Sequence, residues 1–369
     1  MHSSVFNPQF SILNSQLSHV ATIGAFDGVH RGHQCLLDQV RRIADEYGLN
    51  ALGITFGTSP KNVLGGGDTS QLTYLEERTT LLHHFGMDKV AVLNFTPQMA
   101  EMTAREFMQK VLKEQLHVAI LVIGYDHRFG RGRSEGFDDY VRYGQEIGIE
   151  VVRGEACIED GEPVSSTRIR HLLEEGEVNE AAQLLGYRYT LRGKVVDGYR
   201  EGRKMGFPTA NIRIDNGQQT TDEEIDCKLI PADGVYAVWV KIDDNVNDNE
   251  NRHPEDNFQF SIFKVRASEH DVSALTNRSA SVAELKMKFN SQFKKGMLNI
   301  GYRPTLNNGQ ERSIEVHILD FEGDLYGKNI TVEFAHRLRE ERRFVNTEEL
   351  TAQLLRDEEK VRELLATEE

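Results

Sequence analysis

Gly24-Ala25-Phe26-Asp27-Gly28-Val29-His30-Arg31-Gly32-His33 decides the reading of the first half of this chain. Before it, His19 to Phe26 is an apolar run with strand character. After it, Leu36, Leu37, Val40, Ile43, Ala44 and Tyr47 recur at helical spacing and stop at Gly48. A strand, a glycine-rich turn and a helix start together suit phosphate. The glycines let the backbone approach a ligand closely, and the first helical N–H groups are unpaired. His30 and His33, three residues apart in that turn, are placed to donate hydrogen bonds to charge developing on an α-phosphate under attack. A turn with incidental surface histidines explains less, because strand, glycines, histidines and helix all agree.

The same texture extends outward. Apolar runs at Ala51–Phe56, Val90–Phe95, Val118–Tyr125 and Glu150–Val152 alternate with helical patterns, one opened by the capping box Thr103-x-x-Glu106. Strands alternating with helices predict a parallel sheet with crossover helices, and ligands then bind beyond the C-terminal ends of the strands. Gly124-Tyr-Asp126-His-Arg128-Phe129-Gly130 ends one such strand and so belongs on the ligand-facing rim. There Asp126 and Arg128 read either as an ion pair or as substrate contacts, and Phe129 either as core or as a stacking surface. Val164-Ser165-Ser166-Thr167-Arg168-Ile169-Arg170 leads into an apolar-patterned helix, where hydroxyls and arginines make a phosphate clamp or a plain N-cap.

Near Gly186 the pattern changes. Runs at Tyr189–Val196, Val235–Ile242, Met297–Ile300, Ile314–Phe321 and Ile330–Phe334 read as short strands without intervening helices, which predicts a small antiparallel barrel. Glu322-Gly323 is expected at a hairpin tip, and a closing helix is expected after Asn346, capped by Asn346-x-x-Glu349. Residues 243–296 fit neither pattern and read as an insertion. Its start is an acidic solvated loop, and Phe258–Val265 and Val282–Phe293 are a candidate strand and a candidate amphipathic helix.

A second phosphate-type loop lies in this half: Gly202-Arg203-Lys-Met-Gly206-Phe-Pro208-Thr209-Ala-Asn211. It lacks the Gly-Lys-Ser/Thr ending of a Walker loop. Thr209 and Asn211 differ by two positions, so on a strand they share a face and offer oxygen ligands to Mg²⁺ and phosphates. Glu315, with His317 on the same face of its strand, is the best-placed carboxylate to deprotonate a hydroxyl for attack on a γ-phosphate.

Composition narrows the classes. The chain has 369 residues, enough for two domains, and a net charge of -15, which argues against nucleic-acid or anionic-membrane binding. Cys35, Cys157 and Cys227 are widely spaced, suggesting reduced thiols, and no apolar run reaches membrane-spanning length. A cytoplasmic enzyme acting on small molecules is expected.

The chain resembles the bacterial bifunctional riboflavin kinase/FAD synthetase family. The likeness rests on Gly24–His33, Gly124–Gly130 and Ser165–Arg170 in the first half. In the second it rests on Gly202–Asn211, Asp233–Ala237, Asn299–Thr305, Glu315–Gly327, Arg337-Leu-Arg339 and Phe344. It implies an FMN adenylyltransferase domain of nucleotidyltransferase type over 1–186 and a riboflavin kinase barrel with a C-terminal helix over 187–369. Riboflavin and ATP would give FMN, then FMN and ATP would give FAD and pyrophosphate, both with Mg²⁺. By the same resemblance, His30 and His33 would stabilise the transferring adenylyl group. Gly24, Phe26, Asp27, Gly28, Ser165, Ser166, Thr167 and Arg170 would hold ATP there. Gly202, Arg203, Gly206, Pro208 and Thr209 would hold it in the kinase, where Thr209 and Asn211 would bind the metal. Asp126, Arg128, Phe129 and Arg303 would contact flavin, and Glu315 would be the catalytic base.

The chain departs from the family at two places, the first of them the larger. Phe56-Gly57-Thr58-Ser59-Pro60 stands where the family carries Phe-Asp/Glu-x-His-Pro, and His127 replaces a position that is often aromatic. The Phe56–Pro60 departure motivates one alternative, a riboflavin kinase with an impaired first domain. The histidine motif, shared across nucleotidyltransferases, leaves a second, a nucleotidyltransferase for another phosphate. A non-enzymatic flavin-binding or regulatory protein is a third.

Overall fold

A computed structural model describes residues 17–57, 70–125, 127–155, 158–159, 162–198, 202, 205–214, 227–243, 293–302 and 312–368. They divide into two compact units, 1–69 with 75–164, and 70–74 with 165–369.

The first unit is an all-parallel sheet of β1 (His19–Ile23), β2 (Asn50–Phe56), β3 (Lys89–Leu93), β4 (Val118–Ile123) and β5 (Glu150–Arg153). Its order is β3-β2-β1-β4-β5. Both β1 and β4 are buried along their whole length, as the continuous apolar runs require of strands covered on both faces. The order reverses between β1 and β4, so the crevice beyond their C-terminal ends is the expected ligand position. The helix α1 (Arg31–Tyr47) buries Leu36, Leu37, Val40, Ile43 and Ala44, and Gly48 ends it in the left-handed conformation at φ 65°. Next come α2 (Leu75–His84), α3 (Pro97–Ala100) and α4 (Ala104–Phe107), the last running on as a π-helix over Met108–Gln115. The expected capping box is formed: the Glu106 N–H donates to the Thr103 hydroxyl, and the Thr103 N–H to the Glu106 carboxylate. α5 (Phe137–Ile147) covers β5, and β6 (Ile158–Glu159) pairs with β7 (Glu162–Pro163) as a short hairpin.

The second unit opens with α6 (Ser166–Glu175) and α7 (Val178–Leu185) and continues into a closed antiparallel barrel. Its strands are β8 (Thr190–Val196), β9 (Ala210–Ile214), β10 (Gly234–Ile242), β11 (Phe293–Tyr302), β12 (Arg312–Ile318) and β13 (Asn329–Arg339), in the order β10-β11-β12-β9-β8-β13. The last helix, α8 (Thr347–Ala366), starts at the predicted cap, where the Asn346 side chain accepts from the Glu349 N–H at 2.8 Å. Its Val361 and Leu365 pack into a cluster with Trp239, Phe293 and Met297, and Arg339 holds the buried Asp357 at 2.9 Å.

Three expectations are corrected. Glu322-Gly323 is not the tip of a hairpin between paired strands. β12 pairs with β9 and β11, and β13 with β10 and β8, so the turn connects non-neighbours. Turn residues report that the chain reverses, not which strand it meets. The stretch Phe293–Gly296, read as part of the insertion, belongs to β11 and pairs with β10 over Lys241 to Val238. Finally, Cys35 is disulfide-bonded while Cys227 is free and exposed, so the thiols are not all reduced. Spacing along the chain carries no information on which side chains meet in space. The candidate strand Phe258–Val265 and candidate helix Val282–Phe293 otherwise lie outside the described residues.

Candidate active sites

The Gly24–His33 stretch leaves β1 as a tight, strained turn. Phe26 and Val29 hold φ of 49° and 32°, and Gly28 holds 81°. Positive φ is costly for Phe and more so for β-branched Val, at roughly 1–3 kcal/mol per residue. What holds them is burial, since Phe26 and Val29 are 1% and 0% exposed. The turn is tied down further by the Val29 N–H on the Phe26 carbonyl at 3.0 Å and by the Gln34 amide on the Val29 carbonyl at 2.8 Å. The result is that His30 arrives as the residue before α1, with its ring stacked on that of His33 (centroids 3.7 Å apart, planes 18° apart). Phe26 meets the His33 ring edge-on at 5.1 Å.

Burial pushes the His33 imidazolium well below the ordinary histidine value, and the charges of His30, His127 and Arg78 push the same way. Nδ1 of His33 is buried without a hydrogen-bond partner among the described residues. A buried imidazole next to a second one, at the mouth of the sheet, suits an incoming anion. Arg78 is not among the residues the sequence motifs point to. This buried guanidinium on α2 donates to the Phe56 carbonyl at 3.0 Å and lies 3.4 Å from the Thr55 hydroxyl. It therefore stands at the end of β2, where the chain departs from the family. No pattern announced it, because a cation inside a helix usually faces water.

After β4, Phe129 stacks on Tyr140 (4.3 Å, 9°), whose hydroxyl accepts from the Phe129 N–H at 3.0 Å. Arg128 is exposed, while Asp126 lies outside the described residues. Val164, the last residue of the first unit, presents its carbonyl to Gly32. Ser165 then caps α6 by accepting from the Arg168 N–H at 3.3 Å, and Arg170 donates to the Ser70 carbonyl at 3.1 Å. By its contacts this helix, with Ser166, Thr167 and Arg170, belongs to the second unit.

The barrel brings three of the predicted residues together. Glu315 on β12 lies directly across the ladder from Asn211 on β9. The Thr209 hydroxyl donates to the Glu315 carboxylate at 3.2 Å, and Ser313, two residues before Glu315, lies 3.5 Å from its other oxygen. Gly198 runs so close that a Cβ there would occupy the space of the Asn211 amide. Of the preceding loop, Gly202, Gly206 (φ 86°) and Pro208 are described, and the Phe207 N–H closes back onto the Gly202 carbonyl at 2.9 Å. Arg203 and Arg303 lie outside the described residues. A hydroxyl, a carboxamide and a carboxylate so gathered are hard oxygen donors suited to Mg²⁺, which in turn carries substrate phosphates. The described residues contain no cluster of three or more His, Cys, Asp or Glu that would make a metal cage.

Comparisons with known proteins agree with both halves. The FAD synthetase family model matches residues 13–168, and the riboflavin kinase model matches residues 185–365. The chain belongs to the bifunctional riboflavin kinase/FMN adenylyltransferase family. A member of this family from Listeria monocytogenes is 32% identical, covering 95% of this chain and 94% of its own. Another from Escherichia coli K12 is 31% identical over 93% and 92%. A solved structure from Streptococcus pneumoniae, described as a macrolide-efflux protein, shares the fold with a TM-score of 0.71 and 28% identity over 94% of both chains. No helix among the described residues is long and apolar enough to cross a membrane. The presence of both family domains favours the bifunctional reading over a kinase with an impaired first domain.

Proposed function

We propose that this chain makes FMN in its barrel and converts it to FAD in its α/β unit, as a cytoplasmic enzyme drawing on ATP for both steps. The observation that carries the reading is Glu315, facing Asn211 across the ladder and accepting from Thr209. In the kinase step, the Glu315 carboxylate takes the proton of the riboflavin 5′-hydroxyl. That oxygen bonds to the γ-phosphorus of ATP, the bond to the β-bridging oxygen breaks, and ADP leaves. Gly202, Arg203, Gly206 and Pro208 would bind the phosphates, and Arg303 the flavin. Thr209 and Asn211 would hold Mg²⁺, which when bound neutralises phosphate charge.

In the second step a phosphate oxygen of FMN attacks the α-phosphorus of ATP and pyrophosphate leaves. His30 and His33 donate hydrogen bonds to the charge gathering on the α-phosphate, so no covalent enzyme intermediate is needed. Gly24, Phe26, Asp27, Gly28, Ser165, Ser166, Thr167 and Arg170 hold the nucleotide, and Asp126, Arg128 and Phe129 would bind the flavin. We place the functional border at Gly186, so that 1–186 adenylylates and 187–369 phosphorylates.

The test is a time course of the full chain with riboflavin, excess ATP and Mg²⁺, with flavins separated by chromatography. FMN rising first and then giving way to FAD is the expected result. FMN accumulating without FAD would leave a kinase alone, and no conversion would overturn the reading.

A further inference from the structure

The face of β12 that carries Glu315 also carries His317, whose partner lies on another segment. Ser313, Glu315 and His317 follow at alternate positions and so point the same way. The β12–β9 ladder ends at the pair Val316–Ala210. One residue further along β12, at His317, the backbone of β9 has not yet begun. There the side chain takes over: Nδ1 of His317 lies 2.8 Å from the carbonyl oxygen of Pro208. A carbonyl can only accept, so Nδ1 carries the proton. Pro208 has no N–H of its own to offer β12, and this bond joins the hydrogen bond from Thr209 to Glu315 in tying the two segments together. The Phe207 ring meets His317 nearly edge-on (5.4 Å, 68°), and His317 is 9% exposed.

The tie has a consequence for chemistry. The Pro208 carbonyl and the Thr209 N–H belong to one rigid peptide plane. Holding that carbonyl sets the direction in which Thr209 leaves the loop, and Thr209 in turn donates to Glu315 at 3.2 Å. We infer that His317 is a positioning residue of the kinase site: by fixing the Pro208 carbonyl it sets Thr209 and Asn211 against Glu315, and so governs how MgATP is held. This inference rests on the kinase reading above.

The experiment compares the full-length wild type with H317A, H317N and H317Q. Initial rates of FMN formation are measured with MgATP and riboflavin varied separately, adenylylation of supplied FMN is followed in the same preparations, and thermal unfolding is recorded. An asparagine amide nitrogen falls near the place of Nδ1, whereas a glutamine nitrogen falls near Nε2. The expected result is a KM for MgATP raised about tenfold in H317A, near the upper limit for one hydrogen bond. The KM for riboflavin and the adenylylation of supplied FMN stay at wild-type values. H317N returns to within about twofold of wild type and H317Q behaves like H317A, the pattern set by losing or keeping one such bond. Unchanged kinase constants in H317A would overturn the inference. So would equal rises in both KM values, or an H317N no better than H317Q. If H317A does not fold, the contrast between H317N and H317Q decides the matter alone. A wild type that forms no FMN would instead sink the kinase reading.

Discussion

The two halves of this molecule build their proposed phosphate sites by opposite means. In the parallel sheet the strands β1 and β4 are buried along their whole length, and the few polar groups there, His19 and Thr22 on β1, are buried with them. The chemistry moves to the loops past the strand ends, where a strained turn delivers His30 and His33. In the barrel, Thr209, Asn211 and Glu315 instead meet across the start of β9 and the middle of β12. The first site depends on loop conformation and burial, and the second depends on ladder register. A barrel strand can line up several polar residues on one face, as Ser313, Glu315 and His317 do, whereas a strand covered on both sides is mostly apolar.

Sharp separation of the two sites is the first consequence to test. Glu315→Gln should lower FMN formation by about 10²- to 10⁴-fold, the range for loss of a general base. Supplied FMN should still become FAD at the wild-type rate, and a loss of both activities would break the comparison. In the other direction, His30→Ala or His33→Ala should lower FAD formation on the order of 10²- to 10³-fold, as for loss of a transition-state donor. FMN should then accumulate from riboflavin in the same tube.

Register is probed by Gly198→Ala, whose added carbon needs the space of the Asn211 amide. Displacing Asn211 should cost the kinase about tenfold or more, since small misplacements are expensive at a reacting centre. Adenylylation of supplied FMN is the control that should not move.

Burial of histidines makes the first unit acid-sensitive. His33 and His19 both have lowered pKa values, burial being the leading cause, while their ordinary value is 6.5. The unfolded chain therefore binds more protons than the folded one as pH falls below 6.5, and stability is lost in that direction. Far-UV dichroism, which sees both units, should show earlier melting at pH 5.5 than at pH 7. The lone Trp239, buried in the barrel, reports on the second unit by fluorescence, so divergence of the two signals would localise the effect. The smallest effect is expected from Asn346→Ala, which removes the cap of α8 and should cost about 1 kcal/mol. It should appear in the Trp239 melt, because α8 packs on the barrel core.

Much of this was legible in the chain itself. Continuous apolar runs alternating with helical spacing announced the parallel sheet, and the caps at Thr103 and Asn346 were found where the spacing put them. The paired histidines and the Thr209–Asn211 pair stood out because turn and strand periodicities are local. Arg78 did not stand out, since its meaning comes from the end of β2, more than twenty residues away. The role of His317 was hidden for the same reason. Its place beside Glu315 follows from alternation, but its partner Pro208 lies on another strand's approach.

Sequence by itself therefore determined the class of each half, the ends of several helices and the residue types able to handle phosphate. These follow from backbone geometry and burial over a few neighbouring residues. Tertiary structure alone decided the barrel order β10-β11-β12-β9-β8-β13, the stacking of His30 on His33, and the meeting of Glu315 with Asn211. Each of these is a contact between chain segments whose spacing carries no periodic signal, so only the packing that closes the sheet or the barrel can select it.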